Sequence, residues 1–136
     1  MNSTYWLNKV MKTMYTSNSG SFYLGLSSTE PAKNGSGVTE PSGNNYARVQ
    51  VTAFSEPNNG VVKNTNALEF PRSTGVWFDT PKAAYWVLFD GAGASAHVLS
   101  CGALDEPKSI ESNTIVTIDA QTLSVTLTDY SSGESA

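Results

Sequence analysis

The apolar period of this chain changes once, near Phe22, and that change decides what the chain can fold into. Before it, Trp6, Leu7, Val10, Met11 and Met14 recur at helical spacing. After it the period is two. "FYLGLS" sets Phe22, Leu24 and Leu26 on one side, and "ARVQVTAF" alternates Ala47, Val49, Val51 and Ala53 with Arg48, Gln50 and Thr52. "ALEFP", "GVWFD", "AYWVLFD", "HVLSCGAL", "TIVTID" and "LSVTLT" follow, each bounded by Gly, Pro, Asn or Asp. The pattern predicts a mainly all-β fold, an antiparallel β-sandwich of about seven or eight short strands behind one N-terminal amphipathic helix.

At 136 residues the length is that of a single domain. We read the helix over 1–18, the sandwich over 21–128 and a polar tail over 129–136. Asn2, Ser3 and Thr4 offer oxygens to cap the helix. "AYWVLFD" is apolar on both faces, which predicts a central strand covered on one side by the core and on the other by the helix or a partner. "TIDAQTLSVTL" reads as a hairpin turning at Ala120 and Gln121. "GAGAS", at 91–95, lacks the GK[ST] ending and the following helix of a phosphate loop, so it reads as a hairpin turn.

Composition excludes several functions. Charged residues are 15%, against about 25% in an average domain. Ser, Thr, Asn and Gly take their place, as turns and solvent-facing strand positions require. The net charge is −4 and the eight basic residues are scattered, so no nucleic acid is expected as a partner. No apolar run reaches membrane-spanning length, and the N-terminus lacks the continuous apolar stretch of a signal peptide. The reading is a chain made in a cytoplasm, with no membrane partner.

Catalytic equipment is not visible. His97 is the single histidine and Cys101 the single cysteine, which leaves no multi-histidine metal site and no internal disulfide. We expect no cofactor, no metal and no catalytic residue, with Cys101 a buried, unreactive thiol. The strand-end aspartates select no acid–base pair. Tyr5, Tyr15, Tyr23, Trp77, Trp86 and Tyr130 remain as candidates for a sugar platform or an interface, Trp77 and Trp86 being more in keeping with a core.

Two features point to contacts. The first is the helix stripe, from which Trp6, Val10 and Met14 are candidate interface residues, because Trp and Met are favoured at interfaces. The alternative is a stripe packed on its own sheet. The second is the loop from Ser27 to Asn45, longer than most connectors. It leads through Tyr46 into a strand that places Arg48 opposite Val49 and Val51. Tyr46 is a candidate anchor. Arg48 can hold the acidic loop carrying Glu30 and Glu40, reach a neighbouring subunit, or stay solvated.

The order of "FYLGLSSTEP", "GVTEPSGNNYARVQVT", "ALEFPRSTGVW", "AYWVLFDGAGA", "CGALDEPKSIESNT" and "LSVTLT" resembles small bacteriophage virion structural proteins commonly labelled tail-fibre proteins. The resemblance runs over about residues 5–128, and "EPSGNNYARV" is its most specific element. Asn44 and Asn45 stand where the family pattern has glycines, a change Asn tolerates in left-handed backbone. The resemblance implies a non-enzymatic component of a phage particle surface, either a head decoration or cement protein or a tail-fibre appendage. Its partners would be the major capsid or tail protein, further copies of itself, or both. A receptor- or carbohydrate-binding module is the alternative.

Overall fold

The computed structural model of the chain describes residues 2–18 and 20–127. The expected polar tail over 129–136, Tyr130 included, lies outside the described residues. The protein is mainly β, with a single N-terminal α-helix followed by antiparallel strands, as the change of period predicts.

Helix α1 spans Thr4–Met14. Ser3 is its cap, accepting a hydrogen bond from the Trp6 N–H at 3.2 Å. Asn18, in a 3-10 turn over Thr16–Asn18, donates its side-chain amide to the carbonyls of Thr13 and Met14 at 2.9 and 3.0 Å. Those carbonyls would otherwise be orphaned at the helix end. A helix of 11 residues is marginal alone, so tertiary contacts must hold it. Met11 is buried, and the Gly60 N–H donates to Asn8 Oδ1 at 2.8 Å. Thr16 Oγ1 donates to the Ser55 carbonyl at 2.7 Å, and the Tyr15 ring meets Phe22 and Phe54 at 5.1 and 5.4 Å.

The strands follow as β1 (Phe22–Ser27), β2 (Val49–Val51), β3 (Val61–Lys63), β4 (Leu68–Glu69), β5 (Phe78–Phe89), β6 (Val98–Ile110), β7 (Thr117–Ile118) and β8 (Ser124–Thr126). Four of them make an antiparallel sheet in the order β2-β1-β5-β6. The remaining strands form two ribbons, β3 with β8 and β4 with β7. Leu24, Leu26 and Leu88 from one face of the large sheet share a core with Val62, Phe70 and Val125 from the ribbon segments. Trp86 closes that core over Gly102, where a Cβ would lie 2.6 Å from the indole.

Three expectations need correction. The end of "GVWFD" (Phe78 and Asp79) and "AYWVLFD" up to Phe89 fall in one strand of 12 residues, β5, and its partner β6 has 13, so these two are not short. Their pairing slips three times, from Phe78↔Ile110 to Ala83↔Lys108, then to Tyr85↔Ala103, and again between Leu88↔Ser100 and Phe89↔Val98. Pro81 lies within the first slip, where a residue without an N–H is tolerated.

The second correction concerns "TIDAQTLSVTL". The turn forms, with Gln121 at φ 63° and the Thr122 N–H on the Asp119 carbonyl. Its arms do not pair with each other. β7 joins β4 and β8 joins β3, because Asn64 occupies the space between them. Asn64 is fully buried, donates to the carbonyls of Asn66 and Asp119, and accepts from the Leu123 N–H.

The third concerns β5. It is central, but its second face is covered by the long loop, not by α1.

Candidate functional site

Alternation puts Tyr85, Val87 and Phe89 of β5 on the face opposite the main core, beside Gly25 of β1 and Cys101 of β6. Val87 and Phe89 are nevertheless buried. The cover is residues 28–48. This segment closes on itself first: Ser27 Oγ accepts from the N–H groups of Thr29 and Thr39, and Thr29 Oγ1 donates to the Gly37 carbonyl. Asn44 and Asn45, both at positive φ, then tie its end to the segment between β4 and β5. The Asn44 carbonyl accepts from Trp77 Nε1 at 2.8 Å, and Asn45 Nδ2 donates to the Arg72 carbonyl at 2.9 Å.

Glu40, Tyr46 and Arg48 complete the cover. Glu40 Oε2 accepts from the Tyr46 hydroxyl at 2.6 Å and from Arg48 Nε at 3.1 Å; Oε1 accepts from Arg48 Nη2 at 2.7 Å. Arg48 Nη1 donates to the carbonyls of Gly93 and Gly91 at 2.8 and 3.2 Å, and the guanidinium lies 3.4 Å over the Phe89 ring. The Leu26 N–H donates to the Tyr46 oxygen at 3.0 Å. Burial, then the adjacent Glu40 carboxylate, push the Tyr46 phenol up, so it stays a neutral donor. Gly25 makes room for the group, since a Cβ there would be 2.5 Å from Glu40 Oε2.

Of the readings of Arg48, the chain realises the one in which it holds Glu40. Its side chain is 10% exposed, and four hydrogen bonds within its own chain occupy it. The placing of Arg48 on an outer strand face is therefore corrected, because the loop turns that face into an interior one. The contact joins the loop, the sheet and the β5–β6 connection, and no sequence spacing announces the Gly91 and Gly93 carbonyls as partners.

The helix stripe divides. Leu7, Met11 and Tyr15 pack inward, while Trp6, Val10 and Met14 form a parallel ridge on the outside. Trp6 is 52% and Met14 56% exposed, and Val10 is half-buried between them. With Lys9 and Thr13 they line one shallow depression. The structure thus brings Trp6, Val10 and Met14 together, and sets Tyr46 and Arg48 apart from them in the loop cover.

A family model described as podophage GP4 fiber I protein gp80 matches residues 1–126. The chain belongs to this family. No curated protein matches it. The match takes in both the helix ridge and the loop cover of this fibre-family chain.

His97, the single histidine of the fibre-family member, has a structural role. His97 does have an acidic partner, Asp90, which the sequence did not place beside it: Nδ1 lies 3.0 Å from Asp90 Oδ2 across the connection between β5 and β6. The His97 N–H on Asp90 Oδ1, then the ring, hold that carboxyl below its usual range. The pair is exposed and pins the hairpin loop containing "GAGAS". Trp77 is buried and Trp86 half-buried, so among the described residues Trp6 is the exposed tryptophan. No helix of the described residues is long and apolar enough to cross a membrane.

Cys101 is half-buried, and burial, then the charge of Glu30, push its thiol up. Less thiolate means slower alkylation. We expect Cys101 to react with iodoacetamide at pH 8 more slowly than a free thiol, and Glu30→Gln to speed it up. Mass spectrometry of timed samples checks both rates; an unchanged rate in the variant would remove Glu30 as a cause.

Proposed function

We propose that this chain is a non-enzymatic structural part of a phage tail fibre, joined to its neighbours through the outer ridge of α1. The observation that carries the reading is the position of Trp6, Val10 and Met14. The helix already buries Met11 against its own domain, yet it presents a second apolar row to solvent. Burying a large apolar side chain contributes about 1.5–3 kcal/mol, so covering Trp6 and Met14 would favour assembly. Many copies on one particle add avidity to a contact that is individually modest.

Charge narrows the partner. The helix carries Lys9 and Lys12 and no acidic residue, and Lys12 is paired with Glu56 at 3.2 Å. Two such helices meeting across a two-fold axis would bring like charges together. A head-to-tail contact with the acidic remainder of another copy, or with an acidic tail protein, is favoured instead.

Trp6→Asp combined with Met14→Asp is expected to lower incorporation into particles at least about tenfold. Far-UV circular dichroism should be unchanged, with stability within about 0.5 kcal/mol of the parent, as for surface positions. Immunoblots of purified particles give the incorporation. Normal copy number in the double variant would defeat the proposal.

A further inference from the structure

We propose that Asn34, at the tip of the loop cover, is a site of spontaneous modification, losing its side-chain amide so that position 34 becomes aspartate or isoaspartate. Two asparagines of this chain precede a glycine, Asn34 and Asn59. A glycine has no side chain to shield its backbone nitrogen, so an Asn–Gly step is where that nitrogen can attack the carboxamide before it. The structure treats the two steps differently.

At Asn34 the carboxamide is prepared for attack. Its Oδ1 accepts from the Ser36 N–H at 3.0 Å and from the Ser36 hydroxyl at 2.7 Å. Both donors meet the oxygen that turns negative as the Gly35 nitrogen adds to Cγ. Donors placed in advance at such an oxygen stabilise the transition state. Asn34 is exposed, so water reaches Cγ and carries the leaving group away. The Gly35 N–H has one hydrogen bond to give up, to the Ala32 carbonyl at 2.9 Å in this exposed turn.

At Asn59 the same step is locked. Asn59 and Gly60 form the corner of a tight turn, at φ 53° and 77°. Asn58 and Val61 exchange two backbone hydrogen bonds across it, each 3.0 Å long. Gly60 is buried against α1, its N–H donating to Asn8 Oδ1 at 2.8 Å and its carbonyl accepting from the Leu127 N–H at 2.9 Å. Attack there requires several bonds to open together.

The reaction balances with water alone. The Gly35 nitrogen bonds to Asn34 Cγ and gives its proton to solvent. The bond from Cγ to Nδ2 breaks, and Nδ2 leaves as ammonia with a proton gained from solvent. Water then opens the five-membered imide at either carbonyl, so one water is consumed and nothing is oxidised or reduced. Opening at the main-chain carbonyl leaves Gly35 attached through Cγ, which lengthens the backbone by a methylene. The tip has no slack for it. Ala32 N–H donates to the Ser36 carbonyl at 2.8 Å, and a Cβ at Gly35 would lie 3.6 Å from Val98 Cβ of β6. Isoaspartate at position 34 therefore loosens the cover where it meets the start of β6.

The test is ageing of the full chain at 37 °C and pH 8. Timed samples are digested and read by mass spectrometry with electron-transfer fragmentation, which tells isoaspartate from aspartate. Conversion at position 34 is expected to run at least about tenfold faster than at position 59. The chain unfolded in urea is the reference, and there the two steps should react at similar rates. Ser36→Ala, which keeps the N–H and removes the hydroxyl, should slow position 34 about fivefold with an unchanged circular dichroism spectrum, as loss of one ordinary hydrogen bond implies. Equal rates at the two positions of the folded chain, or a faster reaction at position 59, would overturn the proposal. So would a rate at position 34 that Ser36→Ala leaves unchanged.

Discussion

Arg48→Ala is expected to lower the melting temperature by roughly 10 °C. The side chains of Arg48 and Glu40 are 10% and 16% exposed, so removing one leaves the other charge largely shielded from water. Breaking such a pair costs about 3 kcal/mol, and each kcal/mol moves the midpoint of a domain this size by roughly 3–4 °C. Arg48→Lys should not rescue it. An ammonium cannot grip both Glu40 oxygens, reach two glycine carbonyls and lie flat on Phe89 at once. Thermal melts followed by far-UV circular dichroism decide the matter. A shift equivalent to less than about 0.5 kcal/mol would show that Arg48 acts as an ordinary surface residue. Particle incorporation of the variant should fall only as far as its folded fraction falls, which separates this residue from the α1 ridge.

A comparable loss, about 3–4 kcal/mol, is expected for Asn64→Leu. Leucine is close in size but makes none of the three side-chain hydrogen bonds that asparagine makes. The Leu123 N–H loses its bond to Asn64 Oδ1, and the carbonyls of Asn66 and Asp119 lose their donor. The arms of the 119–122 turn are then no longer held apart for separate partners. Urea unfolding monitored by tryptophan fluorescence measures the change, with the exposed Asn66→Ala as a control near zero. A loss below about 1 kcal/mol would mean that backbone pairing of β3 with β8 suffices without the plug.

Much of the architecture was legible because it follows from local periodicity. Trp6 to Met14 could only be a helix, and "FYLGLS" only a strand with Phe22, Leu24 and Leu26 inward. The central place of "AYWVLFD" followed from its two apolar faces. The reading stopped where a residue's role depends on a partner distant in the chain. "TIDAQTL" has the turn chemistry of a hairpin, and Asn64, 55 residues before Asp119, overrides that signal. Nothing around "YARV" indicates that Arg48 ends on carbonyls 43 and 45 residues away.

The candidate surfaces divide the same way. The helix stripe of Trp6, Leu7, Val10, Met11 and Met14 did not say which row would be covered, because neighbouring rows of one helix differ by a small rotation and only packing chooses between them. Packing buried Met11 and left Trp6 and Met14 outside.

By itself, then, the sequence determined the N-terminal helix, the mainly β remainder and the inward face of β1, all of which depend on side-chain chemistry and short-range spacing. Tertiary structure alone decided that the long loop is the cover of the sheet's second face. A segment rich in Gly, Asn, Ser and Pro has little apolar area with which to declare a buried side. It is held by hydrogen bonds that Ser27 and Asn44 accept from Thr39 and Trp77 and that Asn45 and Arg48 donate to Arg72 and Gly93, groups far apart in the chain until the fold brings them together.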